Sequence, residues 1–173
     1  MAGFLVRPLV RVGLRACAAW LCGVSLCAVG QAQTDAVVTY VGDGDTLYVQ
    51  QEPGRQRAVR LQGIDAPEIC QDGGPAARDA LQERVLGQPV RLLQVGTDDY
   101  GRELAVVYWR GQDLGRWLVE QGLAWSYAVG SQRAPYATEQ GQAREQKRGL
   151  FAQPAPEPPW RFRRRHGSCK SMP

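Results

Sequence analysis

One stretch restricts the fold more than any other: Val59-Arg60-Leu61-Gln62-Gly63-Ile64-Asp65-Ala66-Pro67-Glu68, an alternating run that ends in an acidic corner. Val59 and Leu61 alternate with Arg60 and Gln62, so a strand of period two buries the first pair and turns Arg60 to the opposite face. Arg60 is therefore presented rather than packed. Pro67 fixes its own φ and pushes Ala66 toward extended geometry, which sets Asp65 and Glu68 on a stiff turn at the strand's end. A second acidic turn, Asp43-Gly44-Asp45-Thr46, lies upstream between two apolar runs and reads as a hairpin connection. If those hairpin strands pair beside the Arg60 strand, three acids meet at one end of a sheet.

The remaining pattern supplies such a sheet. Val37 to Val41, Leu47 to Gln50 and Ala58 to Ile64 are short runs rich in β-branched and aromatic residues, separated by turn signals, and predict three consecutive antiparallel strands. Ala77, Leu81 and Val85 recur every fourth residue, which predicts an amphipathic helix over Pro75 to Leu86. Pro89 to Val95 and Leu104 to Trp109 predict a fourth and a fifth strand, joined by the polar loop Thr97-Asp98-Asp99-Tyr100-Gly101-Arg102. Further helices are expected over Gln112 to Gln121, ended by Gly122, and over Tyr136 to Arg148, ended by Gly149. The expectation is an α+β, mostly β chain: a five-stranded OB-fold Greek-key barrel with about three helices.

The 173-residue chain divides unevenly. Residues 1–30 read as a secretory signal peptide, with Arg7, Arg11 and Arg15 before the apolar run Ala16 to Val29 and cleavage near Gly30 or Ala32. That run is shorter than the roughly 20 residues of a membrane span. An exported chain, periplasmic or extracellular and without stable membrane association, is expected. Residues 31–160 form the domain, and residues 161–173 a basic tail, extended and mobile beyond Trp160. Removing three arginines lowers the 21 basic residues to 18, against 17 acids, so bulk charge says little about a polyanionic partner. Cys70 and Cys169 are the thiols left after cleavage; an oxidising compartment permits them to pair, and the position of Cys169 in the tail leaves the pairing open.

Elimination narrows the chemistry. The sole histidine, His166, lies in the tail, which argues against a histidine-rich zinc site, a histidine base and a Ser-His-Asp triad. Carboxylates and arginines remain. Asp45 and Asp65 offer hard oxygens suited to Ca²⁺ or Mg²⁺, Glu68 can take a proton from water, and arginine forks suit phosphate oxygens. The set fits hydrolysis of a phosphodiester.

The strings Asp43-Gly44-Asp45-Thr46, Arg60 to Glu68, Asp98-Asp99-Tyr100-Gly101-Arg102, Gly122-Leu123-Ala124-Trp125 and Lys147-Arg148-Gly149-Leu150-Phe151, in this order and spacing, resemble the staphylococcal nuclease (thermonuclease) family from about Val37 to Trp160. The resemblance implies a secreted, Ca²⁺-dependent endonuclease of DNA and RNA on an OB-fold, monomeric, acting on single-stranded or locally opened substrate and leaving 3′-phosphates. It implies that Asp45, Asp65 and the Ala66 carbonyl hold calcium, that Glu68 is the general base, that Arg60 and Arg102 grip the scissile phosphate, and that Tyr100 contacts the nucleotide. The chain departs from the best-known member in three places. Ala66 replaces a threonine, Asp99 replaces a lysine, and Ala128 and Gly130 stand where tyrosines stack.

Plainer readings compete with these. Asp43 reads as an ordinary turn residue, Trp125 and Trp160 as packing residues, the tail as a solvated end, and Arg60 and Arg102 alternatively as surface ion-pair partners. The rival function is a non-catalytic OB-type module that binds nucleic acid or a protein partner, for which Glu68 is unnecessary.

Overall fold

The structure, a computed structural model, describes residue 3 and residues 33–51, 54–128 and 133–169. The expected signal peptide, Gly3 apart, and Gly130 lie outside the described residues.

Strand β1 (Gln33–Val41) serves two partners in turn. Its first half pairs antiparallel with β5 (Pro89–Thr97), Gln33 opposite Leu93 and Val37 opposite Pro89, and its second half with β2 (Thr46–Gln50), Val41 opposite Leu47. An irregularity between Val38 and Tyr40 resets the alternation, so Ala36, Val38 and Val41 all face the core. A bulge of this kind bends the strand and lets one ribbon turn a barrel corner.

The hairpin predicted at Asp43–Thr46 is present, and β2 pairs antiparallel with β3 (Gln56–Leu61). The expected single strand through Ile64 is broken: Gln62 and Gly63 turn, with Gly63 at φ 77°, and Ile64–Asp65 form a separate short strand, β4. That turn carries Asp65 away from the β3 axis while leaving it at the same end of the sheet. The fold closes where β6 (Glu103–Trp109), antiparallel to β5, runs parallel to β3 with Val59, Arg60 and Leu61 opposite Glu103, Leu104 and Ala105. Three consecutive strands followed by one that returns beside the first make a Greek key, and the β3–β6 pairing shuts the five-stranded barrel.

Val38, Leu47, Val49, Val59, Leu61, Leu92 and Val107 fill the interior, each almost fully buried. Helix α1 (Gly74–Val85) lays Ala77, Leu81 and Val85 on it, the face that the four-residue spacing predicts. The second helix starts later than expected. Gln112–Asp113 pairs with the end of β6 as β7, and Asp113 then caps α2 (Leu114–Glu120) by accepting from the Arg116 amide at 3.1 Å. Trp125–Ser126 forms β8 against β4, with Asp65 opposite Trp125. Helix α3 (Ala137–Glu145) is shorter than predicted and is followed by a 3₁₀ turn, Gly149–Ala152.

The C-terminal segment differs most from expectation. Pro159–His166 is a fourth helix, α4, where an extended tail is predicted. Pro159 at its first turn lacks only an N–H that the helix would leave unbonded anyway, and its fixed φ suits the start. Arg163, Arg164 and Arg165 in the last turn complement the negative helix end. Trp160, read as a packing residue, is 48% exposed, because its helix touches the barrel through Pro159 and Arg163 instead. Cys169 is joined to Cys70 by a disulfide. Among the described residues, no helix is long and apolar enough to cross a membrane.

Candidate active site

The site begins with a turn that only glycine allows. A Cβ on Gly44 would lie 2.7 Å from the Ala77 Cβ and 2.8 Å from the Ala66 Cβ, so its absence lets the β1–β2 turn settle against α1 and the acidic corner. Asp43 behaves as the turn residue expected of it, accepting from the Asp45 amide at 3.0 Å. Asp45 then points inward. Its Oδ2 accepts from the Ala66 amide at 2.7 Å, and the Leu61 amide donates to its carbonyl at 2.8 Å, which joins the turn to both ends of the Arg60 stretch.

Arg60 bridges the two buried aspartates. Its Nη2 stands 3.0 Å from Asp45 Oδ2 and 3.3 Å from Asp65 Oδ1, while its Nη1 donates to the Leu61 carbonyl at 3.0 Å. Asp45 is 5% exposed and Asp65 2%. Arg60 faces away from the core as predicted, yet it is held in a wall of acids rather than left open. Burial holds the Asp45 carboxyl well above the ordinary carboxylate range. Arg60 and the Ala66 amide pull it down, while Asp43 and Asp65 push it further up. Burial thus outweighs the single arginine, and the charged form of Asp45 is disfavoured in the closed site.

Arg102 approaches from the other side through a hydroxyl. Its Nη1 donates to Thr46 Oγ1 at 3.3 Å, and Thr46 Oγ1 donates to Asp45 Oδ1 at 3.3 Å. The loop before β6 is braced by Asp98, which accepts from the Arg102 Nε at 2.7 Å and from the amides of Tyr100 and Arg102 at 3.0 Å. Burial works against the charged form of Asp98, but these bonds and the Arg102 charge outweigh it, and its carboxyl lies below the ordinary range. Tyr100 is 85% exposed, with its ring 5.5 Å from the Arg102 guanidinium carbon.

Glu68 is placed by backbone packing. Its carbonyl accepts from the Gln71 amide at 2.8 Å, its amide donates to Gln71 Oε1 at 3.2 Å, and Gly74 leaves room for that carbonyl where any Cβ would collide with it. Gln71 also donates to the Glu157 carbonyl at 2.8 Å, which ties the corner to the chain entering α4.

A residue expected only as part of a solvated basic tail sits at the centre of this geometry. Arg163 of α4 donates through Nη1 and Nη2 to Asp65 Oδ1 and Oδ2, both at 3.0 Å, and through Nη1 to Glu68 Oε1 at 3.1 Å. The Cys169 amide takes the other Glu68 oxygen at 3.0 Å. Burial tends to lower the Arg163 pKa, but the bonds to Asp65 and then Glu68 more than offset this and raise it. In sequence Arg163 is one arginine among several, and nothing there separates it from Arg161, Arg164 or Arg165. The available signals were Pro159 as a helix start and Cys169 as an anchor.

Asp45, Asp65, Arg60 and Glu68 therefore converge, Arg102 joins them through Thr46, and Tyr100 stands outside on the Arg102 loop. Among the described residues, no group of three or more His, Cys, Asp or Glu side chains is placed to hold a metal ion. Asp45 and Asp65 are the buried carboxylates there, hard oxygens of the kind that suit a divalent ion completed by water or substrate.

A closed OB-type barrel with a buried acid–arginine cluster at its rim is the class that fold and site define. The family described as staphylococcal nuclease homologue matches residues 58–153. An uncharacterized endonuclease of Haemophilus influenzae is 36% identical over 139 residues, which is 80% of this chain and 78% of that protein. A second, from Escherichia coli, is 38% identical over 129 residues, 74% of this chain and 84% of its own. Staphylococcal-like nuclease CAN1 of Arabidopsis thaliana is 36% identical over 106 residues, 61% of this chain and 33% of its own. The chain belongs to the staphylococcal nuclease family.

Proposed function

We propose that this protein is an exported, calcium-dependent endonuclease that hydrolyses phosphodiester bonds of DNA and RNA and leaves 3′-phosphate ends. That the chain is a nuclease follows from its family and from relatives named endonucleases over most of their length. The observation that carries the finer reading is Asp45 and Asp65, both buried, bridged by Arg60, with Arg102 one hydroxyl away.

Each group has a part in such a reaction. Asp45, Asp65 and the Ala66 carbonyl would hold the calcium, which when bound supplies a Lewis acid that polarises a phosphoryl oxygen. Asp45 suits this because its carboxylate stands buried at the cluster, 3.0 Å from the guanidinium that also faces Asp65. Glu68 orients the attacking water and accepts its proton. Arg60 and Arg102 approach from two sides of the Asp45 turn, and their forks stabilise charge building on the equatorial oxygens. Tyr100, exposed beside Arg102, offers a ring to a nucleotide, and an unpaired strand reaches such a ring more readily than a duplex. The apolar run before Val29 supports export, and a monomer suffices because one chain carries the whole set.

The test is a digest of single-stranded DNA by the chain lacking residues 1–30, with end-group analysis of the products. Added Ca²⁺ is expected to give cleavage with 3′-phosphate ends, and a chelator to stop it. Undiminished cleavage in chelator would remove the metal from the reading.

A further inference from the structure

The acids of the site are already in use. Both Asp65 oxygens accept from the Arg163 fork, and Asp65 Oδ1 also faces Arg60. Both Glu68 oxygens are taken as well, one by Arg163 and one by the Cys169 amide. A carboxylate that gives both oxygens to a guanidinium cannot also offer them freely to a divalent ion, and a cation arriving beside Arg163 meets a like charge. Glu68 likewise has both oxygens engaged, so a water there competes with Arg163 and the Cys169 amide. The segment that does this is anchored twice at the same corner, by the Gln71 bond to the Glu157 carbonyl before α4 and by the Cys70–Cys169 disulfide after it. Cys70 is two residues from Glu68, so the covalent tie holds α4 where Arg163 re-enters after any excursion, at the high effective concentration of a short tether.

The geometry points to α4 as a built-in lid: Arg163 acts as an internal counter-cation on Asp65 and Glu68, and it must withdraw before a divalent ion and a phosphodiester can share the site. This deepens the nuclease reading and rests on it. Nothing covalent changes on opening. The fork leaves Asp65, the Cys169 amide leaves Glu68, and the disulfide stays closed. The affinity measured for the ion is then reduced by the fraction of molecules in which the lid is shut. The helix also keeps Arg161 and Arg164 exposed beside the site, so a polyanion approaching the rim meets charges that draw α4 outward.

The experiment titrates Ca²⁺ alone into the chain lacking residues 1–30, wild type and Arg163→Gln, and follows tryptophan fluorescence, for which Trp125 is a local reporter opposite Asp65. Cleavage of single-stranded DNA is measured on the same preparations. Arg163→Gln is expected to lower the Ca²⁺ midpoint about fivefold or more, the lower end for coupled binding events, and Arg163→Lys, which keeps the charge but loses the fork, to fall between. Hydrogen exchange over residues 159–169 of the wild type is expected to quicken when Ca²⁺ is added. An Arg163→Gln midpoint equal to or above wild type, in a wild type that binds Ca²⁺ and cuts, overturns the lid alone. A wild type that neither binds Ca²⁺ nor cuts overturns the calcium reading and the lid with it. Should Arg163→Gln fail to fold, the wild-type exchange decides: unchanged protection on adding Ca²⁺ overturns the lid.

Discussion

Arg60 and Arg102 differ in how tightly they are held, and that difference predicts how each will fail. Arg60 is fixed by two aspartates and the Leu61 carbonyl, so its fork is positioned before any substrate arrives. Arg60→Ala is expected to lower kcat about 10²- to 10³-fold, the scale for losing one transition-state donor, and steady-state kinetics on single-stranded DNA reads it. A loss under about threefold would return Arg60 to the plain ion-pair reading. Arg102 depends on Asp98, whose carboxyl lies below its ordinary value of 3.8. A carboxyl lowered on folding contributes stability that is whole above the unfolded value and is lost as pH falls through the folded one. Asp98→Asn is therefore expected to be less stable than wild type near neutral pH, by about 1 kcal/mol or more for a charge-assisted bond, with the gap closing as pH drops below about 4. Urea unfolding across that range checks it; a gap that stays constant would mean Asp98 does not titrate with folding.

Among the elements, the β1–β2 turn is the least tolerant. Its close approach to Ala66 and Ala77 is what points Asp45 at the Ala66 amide, so added volume at Gly44 strains the packing and misaims the carboxylate together. Gly44→Ala is expected to cost about 1–3 kcal/mol, as overpacking does, by denaturant unfolding, and to lower activity beyond what the lost stability explains. The Ala66 side chain meets this turn as a methyl group, which suits the tight contact with Gly44. Helix α4 shows the opposite economy. It contributes little to the core, with Pro159 its one buried residue, yet it delivers a side chain, Arg163, that joins Asp65 to Glu68.

For the molecule as a whole, the barrel closes through the β3–β6 pairing and the chain closes again through Cys70–Cys169, 99 residues apart. A cross-link over so long a loop restrains the unfolded chain strongly, and its removal is expected to cost about 2–5 kcal/mol. Comparing Cys70→Ser/Cys169→Ser with the oxidised chain by guanidinium unfolding measures this, and equal midpoints would show that the tie does not stabilise the fold. Local pattern carried most of the architecture. Two-residue alternation marked Val59 and Leu61 as core, four-residue spacing marked Ala77, Leu81 and Val85, and Gly and Pro marked the turns, because these signals depend only on near neighbours along the chain. The ordered motifs also singled out Asp45, Arg60, Asp65, Glu68 and Arg102 as candidates. The break at Gly63, the bulge in β1 and the parallel β3–β6 contact were not legible, since each answers to barrel closure between distant segments. Least legible was Arg163. A guanidinium in a run of arginines has no local mark of its partner, and only the folding of residues 159–169 back onto the rim, held by a disulfide to Cys70, decided that this one would face Asp65 and Glu68.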